Sequence, residues 1–134
     1  MDNALAEVLD RQVSLEELAH LVRTGVPRRF VDELATALDM PTYSLAPVLR
    51  TSNRTLRRYH PDKHLPSEIS ERALTIARIL ERATEVLGDR KAAAGWLTTM
   101  NGALEAVPLE LLDSAFGAER VLEILGRIED TVYS

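Results

Sequence analysis

Apolar residues recur at three- and four-residue spacing along nearly the whole chain, and no stretch alternates long enough to make a strand. Leu5, Val8 and Leu9 mark a short first helix. Ser14-Leu15-Glu16-Glu17 has the form of a capping box, in which a hydroxyl and a carboxylate satisfy each other's orphan N–H groups. It opens a helix with Leu15, Leu18, Leu21 and Val22 that stops at Gly25. His20 falls inside this apolar helix and reads as a packed histidine. Pro27 suits the first turn of the next helix, whose buried stripe is Phe30, Leu34 and Leu38 and which ends at Met40-Pro41. Two short helices follow. Thr42 is placed to cap one holding Leu45, Val48 and Leu49, in which Pro47 removes one backbone bond. Ser52 is placed to cap another holding Thr55, Leu56 and Tyr59. A loop runs from His60-Pro61 to Pro66. Ser67 opens the longest helix, with Ile69, Ala73, Ile76, Ala77, Leu80, Ala83, Thr84 and Leu87 in register and Gly88 as its stop. Asp89 is placed to cap a helix carrying Trp96 and Leu97. After a turn-rich connection, Pro108 starts a helix through Phe116, Gly117 breaks it, and a last helix shows Val121, Leu125, Ile128 and Val132. The expected fold is all-α, about eight or nine short helices of ordinary length.

The chain has 134 residues, 46% of them hydrophobic, enough for a real core without metal or disulfide staples. It has no cysteine, which excludes a thiol nucleophile and Cys-liganded zinc or iron–sulfur sites. No apolar run approaches the roughly 18 residues that cross a bilayer, and the acidic start MDNALAEVLD lacks the form of a signal peptide. The expectation is a cytoplasmic protein with no membrane partner.

Net charge is −5, but it is unevenly spread. Residues 23–64 carry eight cations against four acids, while residues 65–134 carry seven against twelve. The basic excess lies in 50–64, where Arg50, Arg54, Arg57, Arg58 and Lys63 face only Asp62. A basic patch on an acidic chain is the footprint of a polyanion site, with a solvated helix face as the ordinary alternative.

Three constellations could carry chemistry. Two short helices over 42–59 read as a helix-turn-helix, whose second helix enters the major groove N-terminus first. Asn53, Arg54, Arg57 and Arg58 suit base edges and phosphates, Thr55 suits a phosphate, and Leu56 faces inward. Such readers commonly dimerise to span two half-sites, so a homodimer is expected. The second constellation is His60-Pro61-Asp62, the signature of J-domain co-chaperones of Hsp70; that reading needs one long basic helix before the tripeptide, and Pro47 and Thr51-Ser52-Asn53 interrupt it. The third is His60 and His64 with Asp62, a metal-like spacing in a segment whose prolines oppose the helix it would need. No metal and no cofactor are expected. No catalytic motif is present: no G-x-S-x-G, no P-loop and no thiol. The chain is therefore not expected to be an enzyme.

From about residue 42 to the end the sequence resembles the Xre/MbcA/ParS antitoxins, partners of RES-domain toxins in type II toxin–antitoxin systems. The stretches that carry the resemblance are Ser52-Asn53-Arg54-Thr55-Leu56-Arg57-Arg58, Ala83 to Asp89, Ala94-Gly95-Trp96-Leu97 with Asn101, Pro108 to Asp113, Gly117-Ala118, and Gly126 to Ser134. The sequence departs from the family at Arg50-Thr51, where the helix–helix turn usually has Gly and an apolar residue. The resemblance implies a helix-turn-helix region over 1–64 that binds promoter DNA and represses the operon. It implies a C-terminal region over 65–134 that binds a RES toxin and obstructs its active site, a site that consumes NAD⁺ or transfers ADP-ribose. Trp96, Asn101, Arg120, Arg127, Val132, Tyr133 and Ser134 are the toxin-binding candidates; core packing is the competing reading for Trp96 and for the Val121-to-Val132 stripe. Residues 93–134 hold only Arg120 and Arg127 against seven acids, which suits a basic dinucleotide pocket.

Overall fold

A computed structural model describes residues 4–10 and 13–133. It is all-α. The elements are α1 (Ala4–Asp10), α2 (Leu15–Thr24), α3 (Arg28–Ala37), a 3-10 turn at Thr42–Ser44, α4 (Asn53–Arg57), α5 (Ser67–Leu87), α6 (Arg90–Leu97), a 3-10 segment at Pro108–Asp113, and α7 (Ala115–Tyr133). Among the described residues the extended pairing amounts to two isolated bridges, Pro27 with His64 and Asn101 with Ala106.

The helix ends follow local chemistry. Ser14 Oγ accepts from the Glu17 N–H at 3.1 Å and starts α2. Asp89 accepts from the Ala92 N–H at 2.7 Å and starts α6. Both side chains satisfy donors that a helix start leaves free. α5 stops at Gly88, whose φ of +104° disfavours any residue with a Cβ.

One hydrophobic core runs from Leu5, Val8 and Leu9 on α1 to Val121 and Leu125 on α7. α5 is its spine. It packs against α1, α2, α3, α6, α7 and the second 3-10 segment, and ten of its residues are buried. A buried hydroxyl fastens this spine to the α2–α3 corner: Ser70 accepts from the Val26 N–H at 3.0 Å and donates to the Leu65 carbonyl at 3.2 Å. The corner is tight. At Gly25, φ is +84° and an added Cβ would sit 2.3 Å from the Leu65 carbonyl oxygen.

Three local expectations are corrected. The helix expected from Thr42 is a 3-10 turn continued by irregular turns to Arg50. Pro47 has no N–H to give a regular ladder, and the Thr42 hydroxyl, expected as a cap, donates instead to Asp32 Oδ1 at 2.8 Å. The helix expected from Pro108 to Phe116 is broken at Ser114 rather than Gly117. Gly117 lies inside α7, its N–H donating to Ser114 Oγ at 3.1 Å, and it is small because the Leu111 carbonyl packs where a Cβ would be, at 1.8 Å. His20 is exposed rather than packed; the buried residue of α2 is Leu18, and His20 lies off that face on the rim of a surface depression.

Candidate functional site

The turn leading into α4 closes through the backbone. The Thr51 N–H donates to the Ala46 carbonyl and the Arg50 N–H to the Pro47 carbonyl, each at 3.0 Å. Between them Arg50 takes φ +57°, the left-handed conformation that glycine adopts most cheaply. Ser52 then caps α4: its Oγ accepts from the Thr55 N–H at 3.0 Å and donates to Thr55 Oγ1 at 2.9 Å. Leu56 is buried and keys the helix into the core. Thr55 is half-buried and shares its hydroxyl with the cap.

Arg54, Arg57 and Arg58 are exposed, and with half-buried Asn53 they wall a common depression. None of the three has an ion-pair partner among the described residues. Arg28 and Arg29, earlier in the same basic segment, are neutralised: Arg28 pairs with Asp32 at 3.0 Å, and Arg29 pairs with Asp62. The uncompensated charge thus concentrates on α4, where a polyanion would feel it most.

The His60-Pro61-Asp62 loop has a structural task. α3 starts after Pro27, which has no side chain to cap it. The loop supplies the missing acceptors: the Arg28 N–H donates to the Lys63 carbonyl at 3.0 Å and the Arg29 N–H to the Pro61 carbonyl at 2.9 Å. The His64 ring donates from Nδ1 to the Thr24 carbonyl at 3.0 Å, and His60 Nδ1 accepts from the Asp62 N–H at 3.2 Å. The helix before the tripeptide is only Asn53–Arg57, so the long basic helix that a co-chaperone reading needs is not formed.

At the other end of the sequence, α7 lies along α5. Arg82 grips Glu129 through two parallel bonds, Nη1 to Oε2 at 2.9 Å and Nη2 to Oε1 at 2.6 Å. These bonds hold the Glu129 carboxyl below its ordinary range and raise the Arg82 guanidinium further. Along α7, Val121 and Leu125 are fully buried, Ile128 is half-buried, and Val132 on the same stripe is 61% exposed. The apolar face outruns the bundle that covers it. Tyr133 closes α7, and Ser134 lies outside the described residues.

The remaining candidates do not all converge. Trp96 on α6 is half-buried and packs against the core. Asn101 folds its own loop, with its N–H donating to the Ala106 carbonyl at 2.9 Å and its Oδ1 accepting from the Leu104 N–H at 3.1 Å. Arg120 pairs with Glu123 one turn on at 3.2 Å, and Arg127 is exposed. Arg120, Arg127 and Val132 share α7; Trp96 lies on α6 and Asn101 in the loop that follows it.

Two known domains match the chain in succession. The antitoxin Xre-like helix-turn-helix domain matches residues 17–78, and the antitoxin Xre/MbcA/ParS C-terminal toxin-binding domain matches residues 82–130. The chain belongs to the Xre/MbcA/ParS antitoxin family. A relative, the antitoxin Xre of Yersinia enterocolitica, is 32% identical over 104 residues, which cover 76% of this chain and 64% of that one. The first antitoxin match ends and the second begins within α5, so one helix supports both. The toxin-binding match includes Trp96, Asn101, Arg120 and Arg127 and stops before Val132. Sequence reasoning missed the Arg82–Glu129 clamp, because a pair of charges on distant helices has no local signature. It also missed Phe116, exposed at the start of α7 in the same domain; an apolar residue beside a glycine reads as a helix end.

Proposed function

We propose that this chain neutralises a RES-domain toxin by obstructing its NAD-consuming or ADP-ribosylating site, and that its helix-turn-helix represses the operon that encodes the pair. The observation that carries the first half is the overrunning stripe of α7. Val132 continues the line of Val121 and Leu125 yet is largely exposed, and an apolar face left uncovered at the end of a rigid helix is a surface for a partner. Acidic flanks complement a pocket built to hold a pyrophosphate. The arginines of α4, without ion-pair partners among the described residues, carry the second half, with Asn53, Arg54, Arg57 and Arg58 toward DNA and Thr55 toward a phosphate. In this reading residues 1–64 serve DNA and residues 65–134 serve the toxin. The protein acts in the cytoplasm as a homodimer within the complex, and it binds rather than catalyses.

The test uses the product of the neighbouring open reading frame and an NAD⁺-consumption assay. A chain ending at Glu129 keeps the Arg82 clamp and the half-buried Ile128, and it is expected to bind the toxin but no longer inhibit it. Full inhibition by this truncate removes the obstruction mechanism. For DNA, Arg54→Ala with Arg58→Ala is expected to lower the slope of log affinity against log salt by about two. An unchanged slope takes both residues out of the interface.

A further inference from the structure

The start of α7 carries a side chain with no role so far. Phe116 is 84% exposed, the most exposed of the large apolar residues described. Its backbone is nevertheless fixed. Ser114 caps the helix two residues before it, and Gly117 packs against the Leu111 carbonyl directly after it. Phe116 also walls a groove that includes Leu112, Arg50, Glu71 and Arg72. An aromatic on a fixed backbone beside a groove has only two side-chain torsions to order on binding, a small cost. Helical spacing places Phe116, Arg120, Glu123 and Arg127 on one side of α7, turned away from the face that buries Val121 and Leu125.

We propose that Phe116 anchors the toxin, seated in an apolar socket on that protein with carboxylates near Arg127. This hold is separate from the obstruction at the C-terminal end. The proposal rests on the antitoxin reading above. The stripe lies wholly within the segment that matches the toxin-binding domain, and Arg127 has no ion-pair partner among the described residues. At about 1.5 Å per residue, Phe116 stands roughly 16 Å from Arg127 and 24 Å from Val132 along the helix. A toxin that covers the end of α7 therefore reaches Phe116 by extending along one helix. A second copy of this chain fits less well. Antiparallel α7 helices could set Phe116 against Arg127 and Arg120 against Glu123, but four side chains on one helix fall short of the roughly 1,200 Å² that stable interfaces bury.

Anchoring and obstruction are then separable. With the full-length chain and the purified product of the neighbouring open reading frame, Phe116→Ala is expected to raise Kd about thirtyfold, mainly through faster dissociation. Inhibition of NAD⁺ consumption at saturating antitoxin stays complete. The chain ending at Glu129 shows the reverse, binding without inhibition. Phe116→Leu recovers most of the affinity, and Leu15→Ala, which removes a 70% exposed side chain from α2, leaves it unchanged. Helical circular dichroism confirms that each variant folds. If the wild-type chain does not bind the toxin at all, the antitoxin reading and this proposal fall together. If it binds and Phe116→Ala leaves Kd within twofold, the anchor alone is overturned. If Phe116→Ala abolishes a wild-type dimer in a mass measurement while toxin affinity holds, the face belongs to a second copy, and the proposal is likewise overturned.

Discussion

Replacing Ser70 with alanine tests whether the spine and the α2–α3 corner are joined as one unit. Ser70 is fully buried, and its hydroxyl accepts from the Val26 N–H and donates to the Leu65 carbonyl. Alanine keeps the helix and the shape, less one oxygen. The Val26 N–H is then left without an acceptor in a place water does not reach, which costs about 1–3 kcal/mol. The lost bond to Leu65 adds up to about 1 kcal/mol, and the better helix propensity of alanine returns roughly 0.5 kcal/mol. The net is a destabilisation of about 2 kcal/mol, a large part of the roughly 5–15 kcal/mol that holds a domain folded. Urea unfolding followed by circular dichroism reads this as a midpoint lower by about 1 M with an unchanged slope. Thr75→Ala is the control, because that hydroxyl also bonds to its own helix, at 2.9 Å to the Glu71 carbonyl, but is only half-buried; its expected cost is within about 0.5 kcal/mol. If Ser70→Ala costs no more than Thr75→Ala, the Val26 and Leu65 groups have other partners and the joint is not what fastens the corner.

Two glycines of α7 give opposite results for one substitution. Gly117→Ala drives a Cβ to 1.8 Å from the Leu111 carbonyl oxygen, which is main chain and cannot swing aside; thermal unfolding is expected to show a loss of about 2 kcal/mol or more. Gly126→Ala meets nothing within 4 Å and is expected to gain roughly 0.5–1 kcal/mol from helix propensity, so a loss there would contradict the open space. Arg50→Gly relieves the left-handed backbone at φ +57° and is expected to raise stability by about 0.5–1 kcal/mol in the same assay; a decrease means that the arginine side chain holds the turn. Glu129 titrates lower in the folded chain than in the unfolded one, because Arg82 bonds its charged form. Its stabilisation is present above the unfolded value, near 4.5, and fades as the pH falls through the lower folded value. Glu129→Gln is therefore expected to flatten the acid limb of a melting-temperature profile below about pH 4.5, and an unaltered limb would rule the clamp out as a contributor.

Helix order was readable wherever local chemistry decides it. The caps at Ser14, Ser52 and Asp89, the stop at Gly88 and the apolar stripes of α3 and α5 all depend on neighbours within one or two turns, whereas Leu15, first on the expected stripe of α2, is exposed. The segment 42–50 was not readable in the same way: apolar spacing at Leu45, Val48 and Leu49 is right for burial, but Pro47 denies the ladder and the chain makes turns instead. Gly117 illustrates a second blind spot. Glycine in a helical pattern reads as a break, whereas here its smallness admits a carbonyl from a different element. His60-Pro61-Asp62 illustrates a third. The tripeptide looks like a recognition motif, yet its neighbours' carbonyls are spent on the N-terminus of α3, a pairing between segments about thirty residues apart in sequence. Of the candidate site, the arginines of α4 were visible as a charge excess. That they lack carboxylate partners among the described residues while Arg28 and Arg29 have them is a three-dimensional fact.

The charge separation has a mechanical consequence for a chain that is acidic overall. A net charge of −5 repels DNA at long range, so in the proposed reading approach depends on the local field of Arg54, Arg57 and Arg58 outweighing the distant acids within a Debye length, roughly 8 Å at physiological salt. Glu119, Glu123 and Glu129 lie on α7, a different element from α4, and Glu129 is bound to Arg82. α5 packs against α7 and carries Ser70 near one end and Arg82 toward the other, while Leu56 of α4 is buried in the same hydrophobic core. One hydrophobic core therefore joins the element that carries the basic face to the helix that carries the acidic one. In the proposed reading DNA meets α4 and the toxin meets α7, two surfaces that lie on different elements.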